Sequence, residues 1–268
     1  MGKDFDCMKR PLLLAIDQSV THLDLREHTA RAMGNGFDGV EWSLPAGSIR
    51  LQSAISHLGT IPIRAVAMRC EMMDIPSAAP FVSSWLQAAS SLGALVLNLS
   101  IPPLRRGNDG DGFARYQDAI NFAYELLQRL RFEAEAAGVN IALEAATSGC
   151  FLSPVEVREL IDAVNSSAIG VCLDVDRIGA IGSPLDWIDT LHRRVQTVRY
   201  TEVSCSGGSV AAQTSQVPID TLIQALHGVP PECPLILSRN AVEGGLPISS
   251  ATVRVWRAEV QSGTDLHN

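Results

Sequence analysis

The stretch FARYQDAINFAYELLQRLRFEAEAAGVNIALE, residues 113–144, decides the fold. Ile120, Tyr124, Leu127, Leu130 and Ala134 recur at helical spacing, and Gly138 stands at the stop position. The next six residues, Val139-Asn140-Ile141-Ala142-Leu143-Glu144, read as a short apolar strand that stops on a carboxylate. An amphipathic helix leading straight into a nearly continuous apolar strand is the repeating unit of parallel sheets covered on both faces.

The same alternation runs in both directions from this unit. Strands are expected at 12–16, 39–43, 63–68, 95–100, 139–144, 170–174, 197–202 and 235–238. Helices are expected at 25–33, 80–92, 113–137, 154–164, 186–191, 219–226 and 249–260. Ser153 before Pro154, with Glu156 and Glu159 early in the helix, marks one helix start. Eight strands with intervening helices point to an α/β fold closed as a (βα)8 barrel in a single domain. The expected boundaries are residues 11–262 for the barrel, with tails at 1–10 and 263–268. An open doubly wound sheet is the alternative. The first strand, however, is followed by Asp17-Gln18-Ser19-Val20-Thr21, which carries no glycine and so no dinucleotide fingerprint. No phosphate-binding Walker loop and no GxSxG elbow occur either.

Composition narrows the function classes. The 268 residues suit one barrel, which takes about 250 residues. Hydrophobic residues at 46% can fill a sizeable core, and 19% charged residues argue against disorder. The net charge of −8 opposes a phosphate-tracking nucleic-acid surface. No apolar run reaches the roughly 18–20 residues of a membrane span. Residues 1–10 are not followed by a signal-like cleavage region. The six cysteines (Cys7, Cys70, Cys150, Cys172, Cys205 and Cys233) form no CxxC pair and no zinc spacing. Reduced thiols and a cytoplasmic location are the expectation.

In a barrel the C-terminal ends of the strands converge on one mouth, so residues there carry the chemistry. Ile141-Ala142-Leu143-Glu144 and Val171-Cys172-Leu173-Asp174 each end on an acid. Two carboxylates emerging from adjacent buried strands need a metal, a proton or an arginine between them. Either acid alone could simply cap a loop or pair with a surface base; together they favour a functional site.

The segments Gly138 to Glu144, Ser153-Pro154 and Gly170 to Asp174 resemble the xylose isomerase-like TIM-barrel superfamily. Gly36-Phe37-Asp38-Gly39-Val40-Glu41 is similar to its second-strand segment, and Val217-Pro218-Ile219-Asp220 to its last helical approach. The resemblance runs from the first strand to the eighth. It implies sugar isomerase or epimerase chemistry, with proton transfer next to a carbonyl. In metal-dependent members a divalent cation, often manganese, sits on a Glu of strand five, an Asp of strand six, a His of strand seven and a Glu of strand eight. Glu144 and Asp174 match the first two positions. They are therefore the catalytic candidates, and the metal candidates if a metal is bound.

The other two ligands have no match. Arg199 stands where the family has its His, and Ser238 near where it has its Glu. A further family His after strand six is replaced at Arg177. None of the six histidines (His22, His28, His57, His192, His227 and His267) falls at an expected strand end. A guanidinium stays protonated and offers no acceptor, so it cannot ligate a metal. The expectation is that Arg199 bridges Glu144 and Asp174 and replaces the cation, with no cofactor. The alternative is a shifted manganese or magnesium site of oxygen ligands: Glu144, Asp174, Glu202 and either Asp176 or Glu41.

Substrate-binding candidates are Arg199, Arg177, Glu41, Trp42, Arg69, Glu202 and Ser238. Arg69, Arg105, Arg106, Arg177 and Arg239 recur near strand ends and as a group favour an anionic ligand, a sugar acid or phosphate. Singly, each reads as a solvated or locally paired base. Trp42 could stack a sugar ring or pack under a loop. Trp85, Trp187 and Trp256 read as helix packing, and Cys172 as a small buried hydrophobe. Asp17 and Gln18 are weaker ligand contacts. The expected partner is a small molecule, not nucleic acid or membrane; relatives are often dimers or tetramers, which leaves a homo-oligomer open. A second function class keeps the acidic mouth but loses isomerisation, leaving a barrel that binds a small anionic metabolite in an accessory or sensing role.

Overall fold

The computed structural model describes residues 10–16, 22–43, 62–105, 112–146, 149–202, 217–239 and 253. Eight strands form a closed parallel barrel in sequence order: β1 (Leu12–Ile16), β2 (Gly39–Ser43), β3 (Ile63–Arg69), β4 (Val96–Ser100), β5 (Asn140–Glu144), β6 (Ile169–Asp174), β7 (Val195–Glu202) and β8 (Leu235–Arg239). β8 returns to β1 through Leu12↔Leu235, Leu13↔Ile236 and Leu14↔Leu237, which closes the ring. The open-sheet alternative is thereby excluded.

The described helices are α1 (His22–Gly34), α2 (Ile75–Ser91), α3 (Tyr116–Ala137), α4 (Pro154–Val164), α5 (Val175–Gly179), α6 (Pro184–Leu191) and α7 (Ile219–Ala225). α3 ends where its sequence demands: Gly138 adopts the left-handed conformation at φ 66° and its N–H returns to the last turn. α2 starts earlier than its periodicity suggests. Asp74 caps it by accepting from the Ser77 N–H at 2.9 Å, and the helix runs through Pro80. α5 was not expected. It is one short turn, started when Asp174 accepts from the Arg177 N–H. The helix expected at 249–260 lies outside the described residues apart from Val253.

Two apolar compartments follow from strand alternation. The larger lies between strands and helices and takes Leu12, Val40, Leu97, Leu143, Leu173 and Val198 together with the inner faces of α2, α3 and α4. The barrel interior is smaller. Leu13, Ala65 and Ile236 pack in one cluster and Val96, Ala142 and Cys172 in another. Small residues are needed where strands crowd. A Cβ on Gly170 would sit 2.4 Å from the Arg194 carbonyl oxygen. Above these apolar clusters, toward the C-terminal ends, the interior turns polar.

Candidate functional site

Alternation sends Glu41 of β2, Asn98 and Ser100 of β4, Glu144 of β5, Asp174 of β6 and Thr197 and Arg199 of β7 toward the barrel axis. Most of these are buried. Arg199 lies at the centre of the group. Its Nη1 donates to Glu144 Oε1 at 2.8 Å and its Nη2 to Glu41 Oε1 at 2.7 Å. The side chain of Arg199 is 11% exposed, against 1% for Glu41 and 7% for Glu144. The same Glu41 oxygen accepts from Asn98 Nδ2 at 2.5 Å, and Asn98 Oδ1 accepts from the Thr197 hydroxyl at 2.7 Å. The Ser100 hydroxyl donates to Glu144 Oε2. Strands β2, β4, β5 and β7 are therefore tied across the barrel by one connected network, the arrangement that makes buried charge tolerable.

Asp174 meets that network through Arg177 and not through a direct bond to Arg199. β6–β7 pairing sets it opposite Arg199 in register, but its carboxylate is engaged by the turn that follows. Oδ1 accepts from the Arg177 N–H at 3.1 Å, and Oδ2 faces Arg177 Nε at 3.3 Å. The expected bridge from Glu144 to Asp174 is thus corrected. Arg199 bridges Glu144 and Glu41, because capping α5 holds Asp174 toward its own helix. Arg177 Nη1 also lies 3.8 Å from Glu144 Oε2, and at 46% exposure Arg177 is the cation of this group that faces solvent.

The two strand-end acids are driven in opposite directions. Burial pushes the Glu144 carboxyl up, but Arg199, Ser100 and Arg177 together outweigh it, and its pKa falls below the ordinary value. At Asp174 burial prevails over Arg199 and Arg177, and the pKa is raised. Burial alone would lower Arg199. The facing carboxylates, Glu41 first, reverse this and hold the guanidinium firmly protonated. The Cys172 thiol, buried beneath them, is pushed well above its usual range by desolvation and stays a neutral small group.

The other expected residues are spread around this centre. Ser238 pairs its hydroxyl with Thr201 at 2.9 Å, one step further along β7 and β8. Arg69 ends β3 as an exposed side chain. Trp42 is buried in the layer between strands and helices, on the opposite face of β2 from Glu41. That burial fits its packing alternative and not ring stacking at the mouth. Asp176 turns toward β7, where it accepts from the Thr201 N–H at 3.0 Å. The side chains of Glu202 and Arg239 lie outside the described residues, as do Arg106, Asp17, Gln18 and the polar loop at 204–216. Asn98, Ser100 and Thr197 were missed. The signal was available: in Val96-Leu97-Asn98-Leu99-Ser100 the polar residues recur with period two inside an otherwise apolar strand.

These residues do not fit a divalent cation. Glu144 presents one oxygen to a guanidinium and the other to a hydroxyl donor, and arginine has no lone pair to offer a metal. Among the described residues no three His, Cys, Asp or Glu side chains converge in a way that could hold an ion. Among the described residues no helix is long and apolar enough to cross a membrane.

Comparison with known proteins agrees with this architecture. An L-ribulose 3-epimerase superposes with a TM-score of 0.71 at 14% identity, covering 95% of this chain and 97% of that one. The D-psicose 3-epimerase of Clostridium cellulolyticum H10, solved with D-tagatose, gives a TM-score of 0.68 at 15% identity, over 95% and 97% of the two chains. The IOLI protein with a binding zinc atom gives 0.61 at 14% identity, over 95% and 96%. At such identities the likeness is one of fold. No curated protein matches the chain in sequence. The family model for the xylose isomerase-like TIM barrel matches residues 30–200, from α1 to β7. The chain belongs to the xylose isomerase-like TIM barrel family.

Proposed function

We propose that the protein is a sugar isomerase or epimerase-like enzyme that moves a proton beside the carbonyl of a small polyhydroxylated compound, a sugar or its acid or phosphate. The carrying observation is the pair Glu144 and Asp174 on adjacent strand ends, one carboxyl held below its ordinary pKa and the other above it. Such a divergence suits one group to act as base and its neighbour as acid. In this reading Glu144 takes the proton from the carbon next to the carbonyl. Asp174, whose raised pKa makes it the better proton donor of the two, delivers a proton to the carbonyl oxygen, forming an enediol. Protonated Glu144 then returns its proton to the former carbonyl carbon while ionised Asp174 takes the proton of the other enediol hydroxyl, which completes an isomerisation. In an epimerisation the original carbon is instead reprotonated on its opposite face, by a solvent-derived proton, while Asp174 takes back the proton it gave and Glu144 releases its own to solvent. Arg177, the solvent-facing cation, is suited to hold the developing oxyanion or an acid group of the substrate. The neighbouring epimerase folds agree with this reading. A cytoplasmic setting goes with it, supported by the free and buried Cys70, Cys150, Cys172 and Cys233.

The test is solvent exchange. Ketoses, aldoses, sugar acids and sugar phosphates are incubated with the protein in deuterium oxide and followed by proton NMR. Deuterium entering the carbon beside a carbonyl, with a loss of roughly 100-fold or more in Glu144→Gln, is the expected result. A second reading is favoured by one observation: both Glu144 oxygens already accept hydrogen bonds. On that reading the mouth only recognises a small anion. Saturable binding of a sugar acid or phosphate without any exchange would replace the enzymatic reading with it.

A further inference from the structure

We infer that this barrel operates with a tethered cation: the Arg199 guanidinium fills the place between the interior carboxylates that an exchangeable divalent ion would otherwise occupy. The inference goes beyond the proposed reaction, since it holds whether the bound molecule is isomerised or only recognised.

Glu41 and Glu144 come from β2 and β5, and both are nearly inaccessible. Two ionised carboxylates in such a place repel one another and lack water, so they require positive charge. Arg199 supplies it with one N–H to each, at 2.7 and 2.8 Å. Asn98, held in turn by Thr197, fixes the Glu41 oxygen, and Ser100 fixes the far oxygen of Glu144. The carboxylates are thus oriented onto a planar fork and not around a point charge. This is arginine's geometry, and a lysine or a metal would not reproduce it. A guanidinium carries no exchangeable coordination position, so substrate oxygens cannot replace a ligand on it. The positive charge that can meet a substrate passes to Arg177, half-exposed beside Asp174 and Glu144.

Metal retention by the unmodified protein and thermal melting of three variants test this. The parent is saturated with manganese chloride, desalted and analysed for metal, and melted with manganese or with a chelator. It should retain no stoichiometric manganese, and its Tm should be the same in both. Retention of about one ion per chain, or a Tm that falls with the chelator, overturns the inference. Arg199→Met should lower Tm by roughly 10 °C or prevent folding. The combined variant Glu41→Gln/Glu144→Gln/Arg199→Met should recover most of that loss, because neutral amides need no cation. If the combined variant is no more stable than Arg199→Met, packing and not charge explains Arg199, and the inference fails. Arg199→His should fold and gain a manganese-dependent rise in Tm; a folded Arg199→His with no such rise also counts against it.

Discussion

Two arginines, one buried and one largely shielded from solvent, lie at opposite ends of the barrel and do different things. Arg10, just before β1, donates to the backbone carbonyls of Cys233 and Leu226 at 2.8 Å and of Val229 at 2.9 Å. It faces neutral acceptors, and burial lowers its pKa. Arg199, at the C-terminal end, faces two carboxylates, and its pKa rises. The first uses the guanidinium as a multi-pronged donor that ties the start of β1 to the segment leading into β8. The second uses it as a charge. The separation matches the barrel's division of labour, with stability at the N-terminal face and chemistry at the C-terminal face.

The largest break in this comparison is expected from Arg199→Met. Removing the cation leaves Glu41 and Glu144 buried and uncompensated, which costs about 3–5 kcal/mol at neutral pH. Acid neutralises the carboxylates that the variant leaves without a cation, so the deficit should be largest at neutral pH and shrink as pH falls toward the unfolded carboxyl value of about 4.3. Urea denaturation across pH measures it. Arg10→Met should cost about 2–4 kcal/mol by orphaning carbonyl oxygens. Its deficit should not recover in acid, because the backbone carbonyls that lose their donor do not titrate. A matching acid recovery in both variants would erase the distinction.

Glu144→Gln sharpens the comparison at about 1.5–3 kcal/mol, the range for hydrogen bonds to a charged partner. The folded pKa of Glu144 is depressed. Its contribution is therefore present above the unfolded value of about 4.3 and lost as pH falls through the folded one, and the variant should lack that acid limb. Asp174 has the opposite sign. Its folded pKa is raised, so its contribution is complete below about 3.9 and lost as pH rises through the folded value. Asp174→Asn keeps the α5 cap and removes this loss. The expected change is the smallest of the set, within about 1 kcal/mol and stabilising at neutral pH. Chemical denaturation at pH 4 and pH 7 separates the two acids.

Much of the fold was legible along the chain. β1 and β2 fall on their expected bounds, and the remaining strands differ by two residues or fewer at either end. Buried parallel strands are runs of Val, Ile, Leu and Ala that stand out against polar turns. The start of α2 was less legible, because Pro80 reads as a helix start until the Asp74 cap is seen in place. α5 is too short to show a period of 3.6.

The sequence by itself placed Glu144 and Asp174 at the ends of adjacent strands and Arg199 within the next strand. Local pattern suffices for that, since strand ends and alternation are properties of neighbouring residues. Only the tertiary structure decided the partners. Arg199 reaches across the barrel to Glu41, 158 positions away in sequence, and not to Asp174 on the adjacent strand. Glu41 and Glu144 turn toward the barrel axis, where Arg199 lies within hydrogen-bond reach of both. Asp174 was already held by the first turn of the helix it begins.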